Sequence, residues 1–200
     1  LILLSQAAEN DTSDHRLYGM YIKPDVPINQ SIKYIISSGK ILFMPPARWL
    51  CISNRRNAQV TREQNIWGVA KQYAGIIERV AKGDWLLMYT RQEIVDREVI
   101  PPAVTGIYKV ISPVYLDESP VFVAPEASAD EVFPHRINVE PVKIFHKPIP
   151  FKPLINDLSF IRNKQKWSGS LRAPMSVIPE DDYRKIYTSD EKWHDRSGLR

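Results

Sequence analysis

The chain has little of what most enzymes and membrane proteins display. Its 200 residues hold a single cysteine, Cys51, so no internal disulfide forms and nothing requires an oxidising compartment. The four histidines, His15, His135, His146 and His194, are scattered, with no triad order and no metal-ligand spacing. Glycine is sparse, at eight residues, and no glycine-rich phosphate loop is present; Lys82-Gly83-Asp84 is too short to serve as one. Asp181 and Asp182 are adjacent on a helical pattern and diverge, so they do not form a catalytic carboxylate pair. Long apolar runs are missing too. The opening LILLSQ soon turns polar, and Ile32 to Phe43 is broken by Lys33 and Lys40, far from the roughly 20 apolar residues that span a bilayer. These absences argue for a soluble, cytoplasmic, non-enzymatic protein without cofactor, metal or membrane partner.

Two basic stretches stand out. Trp49 to Trp67 carries Arg55, Arg56 and Arg62 against the lone acid Glu63, and Phe160 to Arg172 carries Arg162, Lys164, Lys166 and Arg172 with no acid. Cations beside indoles suit a flat base joined to a phosphate, because the ring stacks while Lys and Arg neutralise the backbone. The competing reading is that the tryptophans are core residues and the cations a solvated face. A net charge of +4 favours a polyanionic partner without demonstrating one.

Hydrophobic periodicity predicts strands at Arg48–Ser53, Trp85–Tyr89, Thr105–Ile111 and Arg136–Ile144. In the first, Leu50 and Ile52 oppose Trp49 and Cys51, so both faces are buried. In the last, Ile137 and Val139 point inward against Arg136, Asn138 and Glu140. Asn54 to Gln64 reads as a loop or short exposed helix, Gly75 to Lys82 as a helix, and Arg91 to Pro102 as an exposed connection. Pro153 and Pro179 open further helices, the second with Glu180, Asp181 and Asp182 in its first turn. Strong patterning starts after Met44. Residues 1–43 therefore read as an N-terminal extension, either a poorly ordered arm or an over-extended start, 44–188 as one domain, and 189–200 as a polar tail. The fold class expected is α+β, a curved sheet or small β-barrel flanked by short helices.

The strings WLCISNRRN, NIWGV, KGDWLLMYTRQ, TGIYKVISPVYLD, FPHRINVEPVKI and FKPLINDLSFIRNKQKWSG, in that order from Ala47 to Tyr187, resemble the EVE domain of the PUA-like superfamily, which is related to YTH domains. The resemblance implies a PUA-like fold with a pocket for a nucleobase, often a modified one, flipped out of its strand. It further implies DNA or RNA carrying a modified base as partner, in restriction-linked contexts that would bring in a nuclease or restriction component. Carried onto this sequence, Trp67 with Gly68 and Val69 is a cage wall, and Asn54, Tyr89 and Thr90 form the polar rim and floor. Phe133 or Trp167 closes the cage, and Arg172 grips phosphate beside Arg55, Arg56, Lys164 and Lys166. The alternatives are an RNA-binding PUA-like protein acting on modified or structured RNA and an enzyme of nucleic-acid metabolism. Trp49 and Trp85 read as core, His135 as structural, and Trp67 as an indole facing an open cavity.

Overall fold

The computed structural model describes residues 34–37, 40–43, 45–124 and 131–197, with side chains for 45–124 and 131–190. The expectations for residues 1–33 lie outside the described residues. Tyr34–Ser37 (β1) and Lys40–Phe43 (β2) pair as an antiparallel hairpin ahead of the main domain.

Eleven strands and three α-helices follow the chain among the described residues. β3 (Arg48–Ser53) leads into α1 (Arg55–Gln64), then β4 (Ile66–Val69) and α2 (Ala74–Ile77). After β5 (Trp85–Thr90), the stretch expected to be a plain connection folds as a small hairpin of β6 (Glu93–Val95) and β7 (Glu98–Ile100). β8 (Ala103–Val110), β9 (Tyr115–Leu116), β10 (His135–Pro150), β11 (Met175–Ile178) and α3 (Glu180–Ser197) complete the order. The main sheet has seven strands in the order β11-β3-β5-β8-β10-β4, with β9 also on β10. Only the β3–β5 pair is parallel in it, and α1 and β4 lie between those two strands in sequence.

The sheet curls because β10 serves two partners. Its first residues pair with β4 and β9, its remainder with β8, and the register shifts between Pro141 and Lys143 and again between Ile144 and Ile149. Proline at 141 has no N–H to give, and bulges of this kind bend a strand. The two faces of β3 and β5 then feed two cores. Leu50, Ile52, Leu87 and Tyr89 pack with Phe151, Leu158 and Ile186, whereas Trp49, Cys51, Leu86 and Met88 pack with Ala58, Trp67, Val69 and Ile137. This is a PUA-like α+β fold.

Four expectations are corrected here. The helix forecast at Gly75–Lys82 is confined to Ala74–Ile77, followed by turns up to Gly83 at φ +93°. The polar tail from residue 189 is the second half of α3, with Ser189 and Asp190 buried and Asp190 paired to Lys143 at 2.7 Å. Trp85 is half-buried, with the Arg48 guanidinium 5.2 Å from its ring centroid. Arg136 leaves the inward face of β10 as alternation requires, but it is fully buried, because the chain around Ser119 and Val132 covers that outer face.

Asp84 holds the start of β3 in place. Its Oδ1 accepts from Ala47 N at 2.9 Å, and its Oδ2 accepts from Trp49 Nε1 and Ala81 N, both at 3.0 Å. Trp49 is thereby a core residue with a satisfied indole.

Candidate nucleic-acid interface

The site is built where β3 and β5 end side by side. Ser53 and Thr90 are partners in the parallel register, and alternation puts both on the face of Cys51 and Met88. Asn54 then turns the chain into α1 as its N-cap, the Oδ1 accepting from Asn57 N at 2.6 Å. β11 runs antiparallel to β3, and Ile52 N donates to Pro174 O at 2.7 Å, so the segment that follows Arg172 enters the sheet at this end of β3. Arg91 N donates to Ser53 O at 3.0 Å, adding a further exposed cation at the same end.

The electrostatics of this end run against simple stability. The first turn of α1 contains no acid and two arginines, Arg55 and Arg56. Cations are disfavoured there by the positive end of the helix dipole, which favours an anion. One carboxylate answers it: Glu93 Oε1 accepts from Arg55 N at 2.7 Å. Arg56 and Arg172 are exposed and make no ion pair among the described residues.

Among the described residues, four buried side-chain polar atoms have no hydrogen-bond partner: Arg48 Nε, Ser53 Oγ, Arg55 Nε and Trp67 Nε1. The first lies 2.8 Å from Glu180 Oε2 and so has an ionic partner. The other three do not, and Ser53 and Arg55 flank Asn54 directly. Native proteins leave few such groups unpaired, and those that remain call for a ligand or another explanation.

Beside this end, the chain from Asp117 to Ala124 crosses from β4 to the first turn of α1. A Cβ on Gly68 would meet Phe122 Cε2 at 2.7 Å and Phe133 O at 3.0 Å, so only glycine fits beneath the Phe122 ring. Asn57 then pairs with Val123 in both directions, Nδ2 donating to Val123 O at 3.0 Å and Oδ1 accepting from Val123 N at 2.7 Å. Arg136 pins the base of this crossing. Its Nε donates to Phe133 O, its NH1 group to Ser119 Oγ and to Asp117 at 2.8 Å, and its NH2 group to Ser119 O and Val132 O. Phe133, at φ +53°, lies 5.7 Å from the Phe122 ring.

The residues expected at the site are therefore divided. Asn54, Arg55, Arg56, Thr90 and Arg172 share the β3 end, and Gly68 and Phe133 share the adjoining crossing. Trp67 does not face an open cavity: it is 3% exposed, and Val69 beside it is fully buried. Tyr89 turns to the opposite face of β5, where it packs on Phe151 at 4.8 Å and burial pushes its phenol up to about 12 despite Arg91. Trp167 lies on that second face too, 5.9 Å from Phe151. Lys164 is occupied, its Nζ donating to Ile155 O and Leu158 O at 2.9 and 2.5 Å. Lys166 is exposed in the same segment. Asn57, Phe122 and Arg136 were missed. Asn57 alone left a trace in the sequence, as a polar residue three positions after a cap. Among the described residues no group of three or more His, Cys, Asp or Glu could hold a metal, and no helix is long and apolar enough to cross a membrane.

The curled mixed sheet with its short helices places the chain among PUA-like α+β domains. Within that class, the family model of the EVE domain matches residues 47–189, and the chain belongs to that family. A UPF0310 protein of Pyrococcus abyssi is 43% identical over 139 residues, covering 69% of this chain and 95% of the relative. Among solved structures, a hypothetical protein from Leishmania major has a TM-score of 0.52 at 18% identity, covering 74% of this chain and 97% of its own. The YTH domain-containing protein mmi1, solved with RNA, has a TM-score of 0.50 at 12% identity, covering 78% of this chain and 88% of its own. At those identities the two structures speak to the fold alone.

Proposed function

We propose that this protein is a non-catalytic nucleic-acid-binding module that holds a nucleobase, often a modified one, at the β3 end while Arg55, Arg56 and Arg172 meet the adjacent phosphates. The observation that carries the reading is the pair of arginines in the first turn of α1, at the wrong pole of the helix for stability and the right place for a phosphate. The unpaired Ser53 Oγ and Arg55 Nε on either side of Asn54 support it, since a polar heterocycle and its phosphate offer partners to such groups. The fold shared with mmi1, a protein solved with RNA, points the same way and keeps RNA beside DNA as the target.

The test is a titration of unmodified and base-methylated DNA and RNA oligonucleotides against salt. Arg56→Gln and Arg172→Gln are each expected to weaken binding to every sequence alike and to reduce the salt slope by about 0.7 to 0.9. Binding by the wild type with slopes unchanged in both variants would remove these arginines from the phosphate site, and no binding to any oligonucleotide would remove the function itself.

A further inference from the structure

We propose that Phe160–Arg172 forms a second nucleic-acid contact, a track outside the pocket on which Trp167 stacks a neighbouring base while Arg162 and Lys166 meet flanking phosphates. The proposal rests on the β3 end being the nucleobase site and extends it along the strand.

Position carries the first step. β10 ends with Pro150 opposite Ala103, itself the partner of Thr90, and Phe151 N donates to Pro102 O at 3.0 Å. Phe151 is therefore at the same end of the sheet as Ser53 and Thr90, and Trp167 packs on it. A 3-10 helix of five residues, Trp167–Leu171, leads from that indole to Arg172; at about 2 Å per residue it spans roughly 10 Å. The segment therefore runs from the Trp167 ring through Arg172 toward Pro174, whose carbonyl accepts from Ile52 N at the end of β3.

Charge carries the second. Several cations elsewhere are paired: Arg48 and Arg184 with Glu180, Lys143 with Asp190, Lys185 with Asp182. Between residues 160 and 172 there is no acid, and the exposed side chains of Arg162, Lys166 and Arg172 make no ion pair or hydrogen bond among the described residues. The irregular backbone that presents them is nevertheless fixed. Lys164 closes it from within, and Phe160 N donates to Asp182 Oδ2 at 2.8 Å. A half-exposed indole backed by Phe151, set among unpaired cations on a fixed loop, is a stacking platform for a sequence-tolerant strand contact. An acidic protein surface would use the cations and leave the ring unexplained.

The experiment compares single-stranded 12-mers of DNA and RNA, each with one internal methylated base, with trimers centred on the same base. Against the wild type stand Trp167→Leu, Trp167→Phe and the double variant Arg162→Gln/Lys166→Gln. The double variant is expected to reduce the 12-mer salt slope by about 1.4, two single-strand contacts at about 0.7 each. Trp167→Leu is expected to weaken 12-mer binding about tenfold and Trp167→Phe far less, with trimer binding unchanged throughout. Wild-type 12-mer affinity and slope in the double variant overturn the track and leave the pocket standing. Absence of 12-mer and trimer binding by the wild type overturns both. The double variant touches no buried contact, so its slope decides the matter even if Trp167→Leu misfolds.

Discussion

Replacing Trp67 separates its packing from its unpaired N–H. The ring is 3% exposed, in the core with Trp49, Cys51 and Ile137, and Nε1 has no acceptor among the described residues. Trp67→Ala deletes a buried aromatic and is expected to cost about 3–5 kcal/mol, as befits a core ring and not the cavity-facing indole expected from sequence. Trp67→Phe keeps most of the packing. It opens a void of a few tens of Å³, worth roughly 1 kcal/mol at about 24 cal/mol per Å³, and it removes an unsatisfied buried donor whose desolvation costs about 1–3 kcal/mol. The Phe variant should therefore range from as stable as the wild type to about 2 kcal/mol more stable. Urea denaturation followed by far-ultraviolet circular dichroism measures this, with m held constant as the check on two-state behaviour. A Phe variant destabilised as much as the Ala variant refutes the reasoning, because the N–H would then be satisfied within the fold.

Three further outcomes follow from the same geometry. Asp84→Asn keeps one acceptor but turns an NH2 group toward Trp49 Nε1 and Ala81 N; unfolding should become easier by about 2–4 kcal/mol, and wild-type stability would show that the carboxylate is not the organiser of the β3 start. Cys51 is fully buried, and burial pushes its thiol well above its ordinary value, so a colourimetric thiol reagent should modify it only at the rate of unfolding; prompt labelling of the native protein contradicts the packing. Asp182 is subject to burial, which raises its carboxyl, but hydrogen bonds from Ser159 and Phe160 and the nearby Lys185 outweigh it and leave the group below the usual carboxylate range. A lowered folded value means that the unfolded chain binds the extra proton, so this stabilisation is complete above about pH 4 to 5 and is lost as pH falls through the folded value. Thermal melts of Asp182→Asn against wild type should differ at neutral pH and converge in acid; a constant gap removes Asp182 from the acid sensitivity.

Much of the fold was legible because its strands are apolar on both faces. The runs at Arg48–Ser53 and Trp85–Thr90 have few other ways to satisfy themselves than as neighbours in a central sheet. Arg136 was hidden for a different reason. Alternation correctly sends it away from Ile137 and Val139, but whether that face meets solvent depends on residues remote in sequence, and Asp117, Ser119, Val132 and Phe133 supply the lid and the acceptors. A cation in an otherwise apolar strand reads as surface until its partners are known. The extension of α3 to Ser197 was missed similarly, since its buried Ser189 and Asp190 are polar and give no apolar period.

Parity is one point at which the candidate site failed in sequence. Motif order groups Tyr89 with Thr90 and both with Trp67, yet neighbours in a strand face opposite ways. Leu87 and Tyr89 belong to the core of Phe151 and Trp167, while Leu86 and Met88 belong to that of Trp67. Thr90 therefore stays on the Trp67 side, as Ser53 does through its register with Thr90, and Tyr89 with Trp167 goes to the other. Both faces nevertheless reach the same end of the sheet, through Asn54 and Arg172 on one hand and Phe151 and Trp167 on the other. Aromatic groups expected to form one cage are thus divided between the two cores, because each strand residue can serve only the face its parity assigns it.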